Sequence, residues 1–372
     1  MSTKLSDLHT PCFLVDLQKV QQNCDHMIET CRKLNIKLRP HTKTHKTIEA
    51  AILQTKGSKR CIAVSTLAEA EFYAENGFDD ILLAYPITAD KINRCLALTI
   101  KLQKFHVMVS GLEGLECLET HAQFLPKEKF WSLFLDIDVG YGRTGFLWDG
   151  GDILDAAVRV NNNSLQLRLE QLYVHCGNSY GVKTSSERIK LQETNIHRLQ
   201  QLQKRLMNYG FNCTYGVGST PTCSLPIEDN KVLAEFHPGN YVFYDYMQHL
   251  FGSCRESNIA CRVMTRVIAH KPEKNIIVVD CGWMALGLDG KMERPLDFCL
   301  IQGENNLRLL DMTQEIGKIV AKEGELDCRL YPVGMILYII PFHSCCTSSL
   351  HAEYQIHNGD DVVATWKPVR GW

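Results

Sequence analysis

Short β-rich runs alternate with longer amphipathic stretches through the first two-thirds of the chain. This alternation restricts the fold more than any other feature, because strands separated by helices pair in parallel and need both sheet faces covered. Strand-like runs stand at CFLVD (12–16), IKLRPHTK (36–43), CIAVS (61–65), ILLAYP (81–86), FHVMVS (105–110) and WSLFLDIDV (131–139). LRLEQLYVHC (167–176), NCTYGVGS (212–219) and LAEFHPG (233–239) follow. Between the first two lies LQKVQQNCDHMIETCRKL (17–34), with apolar Val20, Cys24, Met27, Ile28, Cys31 and Leu34 near helical spacing. Eight or nine such units predict an α/β fold, a closed (β/α)8 barrel over about residues 13–250. From 251 to 372 strands continue without regular helices, and Asn358-Gly359 marks a tight hairpin turn, which predicts an antiparallel β domain.

With 372 residues, 45% apolar and 22% charged, the composition is globular and the length suits two domains. A net charge of -2 gives no overall attraction for nucleic acid or an anionic membrane, so a small-molecule partner is expected. The polar start MSTKLSDLHT lacks the apolar core of a secretory signal, and the 16 cysteines include no CxxC pair; reduced thiols in a cytoplasmic protein are expected. The longest apolar run, VGMILYIIPF (333–342), is about half a membrane span and reads as a buried strand.

Several segments carry chemistry. In RPHTKTHK (39–46), read as a strand, His41, Lys43 and His45 share a face that would point into a barrel mouth. A lysine between two imidazoles in a dry pocket suits Schiff-base chemistry; a solvated basic turn entering a helix is the plainer reading. LDIDVGYGRTG (135–145) places Arg143 on a glycine-rich turn, and YVHCGNSYG (173–181) ends a strand with His175, equally readable as a core histidine. GVGSTPT (216–222) and HPGNY (237–241) resemble anion cradles at late barrel strands. No Walker or GxGxxG pattern accompanies them. In PFHSCCTSS (341–349), His343 and Cys345 share a face of an extended chain, a spacing that suits one soft or borderline cation, though a lone HxC is a weak motif.

Taken in order, RPHTKTHK, YVHCGNSYG, GSTP, HPGNYVFYD and PFHSCCT resemble the eukaryotic-type D-serine dehydratases over nearly the whole chain. These are pyridoxal 5'-phosphate enzymes with an alanine-racemase-like barrel and a β domain. The resemblance implies that Lys43, not Lys46, carries the cofactor and removes the substrate α-proton, and that zinc sits on His343 and Cys345 and activates the β-hydroxyl. It implies that Tyr173, Tyr180, Ser219, Thr220, Gly239, Asn240 and Tyr241 surround the cofactor, with Arg143 near its phenolate. His237 falls where a residue faces the pyridine ring, and racemases carry an arginine there. It further implies that residues 1–12 join the β domain, and that a homodimer acts on a small D-amino acid. The nearest rivals are a D-threonine aldolase, which typically shows HxD in place of HxC, and dehydration of D-threonine or threo-3-hydroxyaspartate. A racemase would need a second acid on the opposite cofactor face, and a cofactor-binding protein without activity would not need the β domain.

Overall fold

The computed structural model describes residues 3–163, 166–182, 184–227 and 231–372. The chain divides into two compact units, one of residues 26–239 with 369–372, the other of residues 1–25 with 240–368.

In chain order the strands of the first two-thirds are β1 (Cys12–Asp16), β2 (Lys37–Leu38), β3 (Ile62–Val64), β4 (Asp80–Pro86), β5 (Lys104–Val109), β6 (Trp131–Asp138), β7 (Phe146–Leu147), β8 (Leu167–His175), β9 (Tyr215–Gly218) and β10 (Leu233–Phe236). Eight of them form one parallel sheet in the order β2-β10-β9-β8-β6-β5-β4-β3, with β7 paired to β6. A parallel bridge between His41 and Ala63 joins the two ends: Ala63 N–H donates to Pro40 C=O and Thr42 N–H to Ala63 C=O, both at 2.9 Å. The strands therefore close into the expected barrel, with the helices of the βα units between them.

Side chains two apart on a strand share a face, and here they fill the barrel in layers. Arg39, Asp80, His106, Ser132, Gln171 and Glu235 are buried in or next to the barrel strands. Two residues further along each strand come His41, Leu82, Met108, Phe134, Tyr173 and His237, all buried, and Ala63, Leu82, Met108, Phe134 and Tyr173 pack together. The first layer is polar because its groups pair with each other. Arg39 lies 2.7 Å from Asp80 and 2.9 Å from Glu235, and all three side chains are at most 5% exposed. Beyond the carboxylates, His106 Nε2 lies 3.3 Å from Asp80 and His237 Nε2 lies 3.3 Å from Glu235. Burial alone would raise the Asp80 carboxyl, but His106 and Arg39 hold it far below the usual carboxylate range. Arg39→Met would leave two carboxylates without their cation, and we expect a loss of about 3–5 kcal/mol of stability, the usual scale for breaking a buried charge network. Urea unfolding checks this; a loss below about 1 kcal/mol, within the scale of an exposed pair, would mean that water reaches the layer.

The second unit contains β11 (Cys261–Lys271), β12 (Ile276–Val279), β13 (Cys299–Ile301), β14 (Leu307–Met312), β15 (Gly317–Ala321), β16 (Ile336–Pro341), β17 (Tyr354–Asn358) and β18 (Asp361–Trp366). They build a mainly antiparallel sheet along β14-β15-β12-β11-β1-β17-β18, with β16 on β11 and β13 on β16. The first strand is a correction to the sequence reading. CFLVD is followed by helix α1 (Leu17–Leu34) and looks like a first βα unit, yet β1 pairs antiparallel with β11 and parallel with β17. Its run of buried Phe13, Leu14 and Val15 suits any strand covered on both faces, so local pattern cannot assign it to a sheet. The expected boundaries stood at 12/13 and 250/251; the compact units divide at 25/26, inside α1, and at 239/240. The β17–β18 turn also differs in detail. Asn358 pairs with Asp361, so Gly359 and Asp360 form the loop, and Gly359 supplies the positive φ of 58°.

Candidate active site

The barrel unit gathers most of the candidate residues just beyond the C-terminal ends of its strands, where barrel enzymes carry their chemistry. Extended backbone in RPHTKTHK stops at His41, and Lys43–His45 form a turn. The expected common face of His41, Lys43 and His45 is therefore absent. His41 is buried and its Nδ1 accepts the Lys43 backbone N–H at 3.3 Å. His45 turns inward, with Nδ1 3.1 Å from Thr47 Oγ1 and Nε2 2.9 Å from Gln54 Oε1. Lys46 is held 2.9 Å from buried Glu69. Among the described residues, Lys43 alone of the two lysines leaves its amine without a hydrogen bond or ion pair, and its side chain is exposed.

Around Lys43 the imidazoles are neutral. His41 is held well below the ordinary histidine range by burial first and then by the charge of Lys43. His175, at the end of β8, is pushed down to about 3 by burial, then by Arg143 and Lys43. Arg143 sits on the exposed loop after β6, its guanidinium 5.7 Å from the centre of the Tyr141 ring. That loop can turn because Gly145 has φ 105° and packs on the Asp136 backbone, where a Cβ would come within 2.9 Å of the Asp136 carbonyl. Tyr173 is buried with its phenol raised by desolvation, and its ring meets His237 edge-on at 4.7 Å. Tyr180 is half-buried in the turn Gly177–Tyr180.

Ser219 caps the short helix Thr220–Ser224, accepting from Thr222 N–H at 3.3 Å, and its hydroxyl lies 2.9 Å from Ser179 Oγ. Ser219 and Thr220 are buried. Gly239 is the close-approach position: a Cβ there would stand 3.0 Å from the His41 carbonyl.

Asn240 and Tyr241 fall in the second unit, where Asn240 joins the HxC segment. Asn240 Nδ2 donates to Asp245 at 2.5 Å and to Ser344 Oγ at 2.9 Å, and lies 3.8 Å from Cys345 Sγ. Tyr241 is fully buried. The pair itself differs from the extended reading, because His343 is the N-cap of helix Ser344–Ser349 and Cys345 is that helix's second residue. Asp245, buried, fixes this helix start by accepting from Ser344 N–H at 2.9 Å. Asp289 is the residue the sequence reading missed: its carboxylate lies 2.6 Å from His343 Nδ1. It follows a helix Trp283–Leu286 and precedes Gly290, where any Cβ would collide with the Phe342 ring. Partial burial would lower the His343 imidazole, but Cys345 and then Asp289 hold it well above its ordinary range. With Nδ1 on Asp289, Nε2 is the nitrogen that could share a cation with Cys345. Among the described residues no group of three or more metal-type side chains occurs, so a cation here would have two protein ligands and open positions.

Fold and site together define an alanine-racemase-like barrel protein with an added β domain. A family model of the N-terminal domain of alanine racemase matches residues 15–246, and one described as a putative serine dehydratase domain matches residues 260–357. The chain is 34% identical to a D-serine dehydratase of Dictyostelium discoideum, over 99% of this chain and 98% of that protein. It is 29% identical to a D-threo-3-hydroxyaspartate dehydratase of Delftia sp. across the full length of both. The solved structure of the Delftia enzyme superposes with a TM-score of 0.91, covering 99% of this chain and all of that one, at 28% identity. A D-threonine aldolase from Filomicrobium marinum shares the fold at TM-score 0.86 and 22% identity, covering 99% of this chain and 97% of that one. The chain belongs to the D-serine dehydratase family.

Proposed function

We propose that this protein is a lyase that converts D-serine to pyruvate and ammonia, using pyridoxal 5'-phosphate and zinc. The observation that carries the reading is the full-length similarity to a D-serine dehydratase, combined with an unengaged amine at Lys43 and an imidazole–thiol pair at His343 and Cys345.

The residues present fit both groups. Lys43 offers the amine for a Schiff base, and Ser219 and Thr220 offer hydroxyl and backbone donors at a helix start for the phosphate. Tyr173, Tyr180, His237, Gly239 and Arg143 complete the barrel-side shell proposed for the cofactor. Asn240 and Tyr241, which the resemblance also implies for the cofactor, belong to the second unit. His343 and Cys345 offer one nitrogen and one sulfur, a donor set that suits zinc, and a cysteine-to-alanine mutant of a D-threo-3-hydroxyaspartate dehydratase has been solved in a metal-free form. When bound, the cofactor supplies an electron sink for a carbanion at Cα, and zinc supplies a Lewis acid for a poor leaving group. The chain's own contribution begins with Lys43, whose freed amine takes the α-proton. Burial makes His41 and His175 weak bases, so they compete poorly with that amine for the proton. His343 and Cys345 would hold the metal; Asp289 orients His343, and Asp245 fixes the start of the helix that carries Cys345.

No helix among the described residues is long and apolar enough to cross a membrane. Cytoplasmic location and a homodimer complete the proposal, the second checked by light scattering on the purified protein. The test of function is a pyruvate assay with D-serine and L-serine, before and after chelation and with zinc returned. Pyruvate from D-serine alone, lost on chelation and restored by zinc, is expected. Glycine and acetaldehyde from D-threonine, without pyruvate from D-serine, would replace the reading by an aldolase. The full-length Delftia relative favours one second substrate, D-threo-3-hydroxyaspartate, for which oxaloacetate is the product to measure.

Asp289→Asn keeps the shape but removes the charge that orients His343. We expect zinc affinity to fall about 10–100-fold, the usual effect of losing such a partner. Competition with a chromophoric chelator measures it, and unchanged affinity would assign His343 another orienting group.

A further inference from the structure

His237 is buried in the barrel, next to the Arg39–Glu235 pair. Nε2 lies 3.3 Å from Glu235 Oε1. The same spot is crowded by Gln171 Oε1: a Cβ built on Gly216 would collide with His237 Nε2 and stand 2.8 Å from Gln171 Oε1. Gln171 is turned this way because its Nε2 donates to Thr214 Oγ1 at 3.3 Å. The polar atom that Nε2 faces at 3.3 Å is therefore a carboxylate oxygen already bonded to Arg39, an acceptor rather than a donor. Both ring nitrogens are buried and make no hydrogen bond among the described residues, so what distinguishes them is that Nε2 alone lies 3.3 Å from a carboxylate oxygen. Glu235 Oε1 accepts from Arg39 Nε at 2.9 Å, which fixes that oxygen in place. Arg39 cannot give up its proton, so the array works as a fixed charge rather than as a proton wire.

We infer that Glu235 is a positioning residue which, held by Arg39, fixes His237 as the neutral Nε2–H tautomer and leaves Nδ1 as a hydrogen-bond acceptor toward whatever occupies the barrel mouth. Burial pushes this imidazole down to about 4 against the pull of Glu235, which agrees with a neutral ring. A neutral acceptor selects a donor as its partner, the reverse of an arginine at the same place. Resting on the reading that pyridoxal phosphate binds with its ring at His237, the inference adds that the cofactor's ring nitrogen is held protonated, its stronger electron-withdrawing form.

The tautomer is measured on the full chain labelled with nitrogen-15 in histidine, before and after reconstitution with pyridoxal phosphate. A long-range proton–nitrogen spectrum, with His237 assigned by its loss in His237→Gln, is expected to place Nε2 in the protonated range and Nδ1 in the unprotonated range at neutral pH. An Nδ1–H tautomer or an imidazolium would overturn the inference. In Glu235→Gln, whose amide can donate to Nε2, the Nδ1–H form is expected to emerge; an unchanged spectrum in a folded variant would transfer the role to Gln171. Should that variant not fold, the unmutated protein's spectrum decides. Failure of the cofactor reading is seen separately, as absence of a Lys43-dependent absorbance change on reconstitution.

Discussion

Lys43→Ala is expected to lose the absorbance of covalently held pyridoxal phosphate and, with it, all measurable pyruvate from D-serine. The loss should be large because one amine serves twice. In the proposed reading it would anchor the cofactor and also take the α-proton, a contribution that alone is typically worth about 10²–10⁴-fold. The control is Lys46→Ala. Lys46 is spent on Glu69, 2.9 Å away, so this change should lower stability by no more than about 1–3 kcal/mol and leave the cofactor absorbance in place. The substitution at position 43 removes no recorded contact, since the side chain is exposed and no described residue bonds its amine. A Lys43→Ala protein that still turned over D-serine at more than about one-hundredth of the normal rate, the low end of a general-base contribution, would sink the assignment, and a Lys46→Ala protein without cofactor absorbance would exchange the two lysines.

The barrel was legible in the sequence because its strands are apolar on both faces and its helices carry a 3.6-residue stripe, two local signals that agree. β1 was not assignable, since being followed by a helix says nothing about which sheet edge a strand will meet. Lys43 was legible as chemistry, but through a strand geometry that ends at His41; the chain turns there, sending His45 to Thr47 and Gln54 and leaving Lys43 outside. His343 and Cys345 were found by their spacing, although a cap and a helix, not an extended chain, present them. Asp289 was beyond reach because 54 residues separate it from His343. Arg39, Asp80 and Glu235 did leave a mark, each a charge set into an apolar strand. Only the closed barrel explains it, by bringing the first, third and last strands' charges within 2.9 Å.

Cys345→Ser tests the metal half of the proposal, and the expected outcome is a protein that keeps its cofactor absorbance, binds zinc poorly and forms little pyruvate. The physical ground is that a serine hydroxyl stays protonated where a thiol gives a thiolate, so the site loses a negative charge and its softer donor together. With only two protein ligands, His343 would be left to hold the ion alone. Losing a Lewis acid worth several kcal/mol slows elimination by about 10²-fold or more, at 1.36 kcal/mol for each tenfold. The substitution is nearly isosteric and Asn240 can donate to an oxygen as to the sulfur it now approaches at 3.8 Å, so Asp245 and the helix start at Ser344 should hold their places. His343→Ala should match it in metal loss while also releasing Asp289. The decisive comparison is metal content against rate: if Cys345→Ser protein carries no zinc yet forms pyruvate from D-serine at the normal rate, hydroxide departure needs no metal here, and the His343–Cys345 pair is structural.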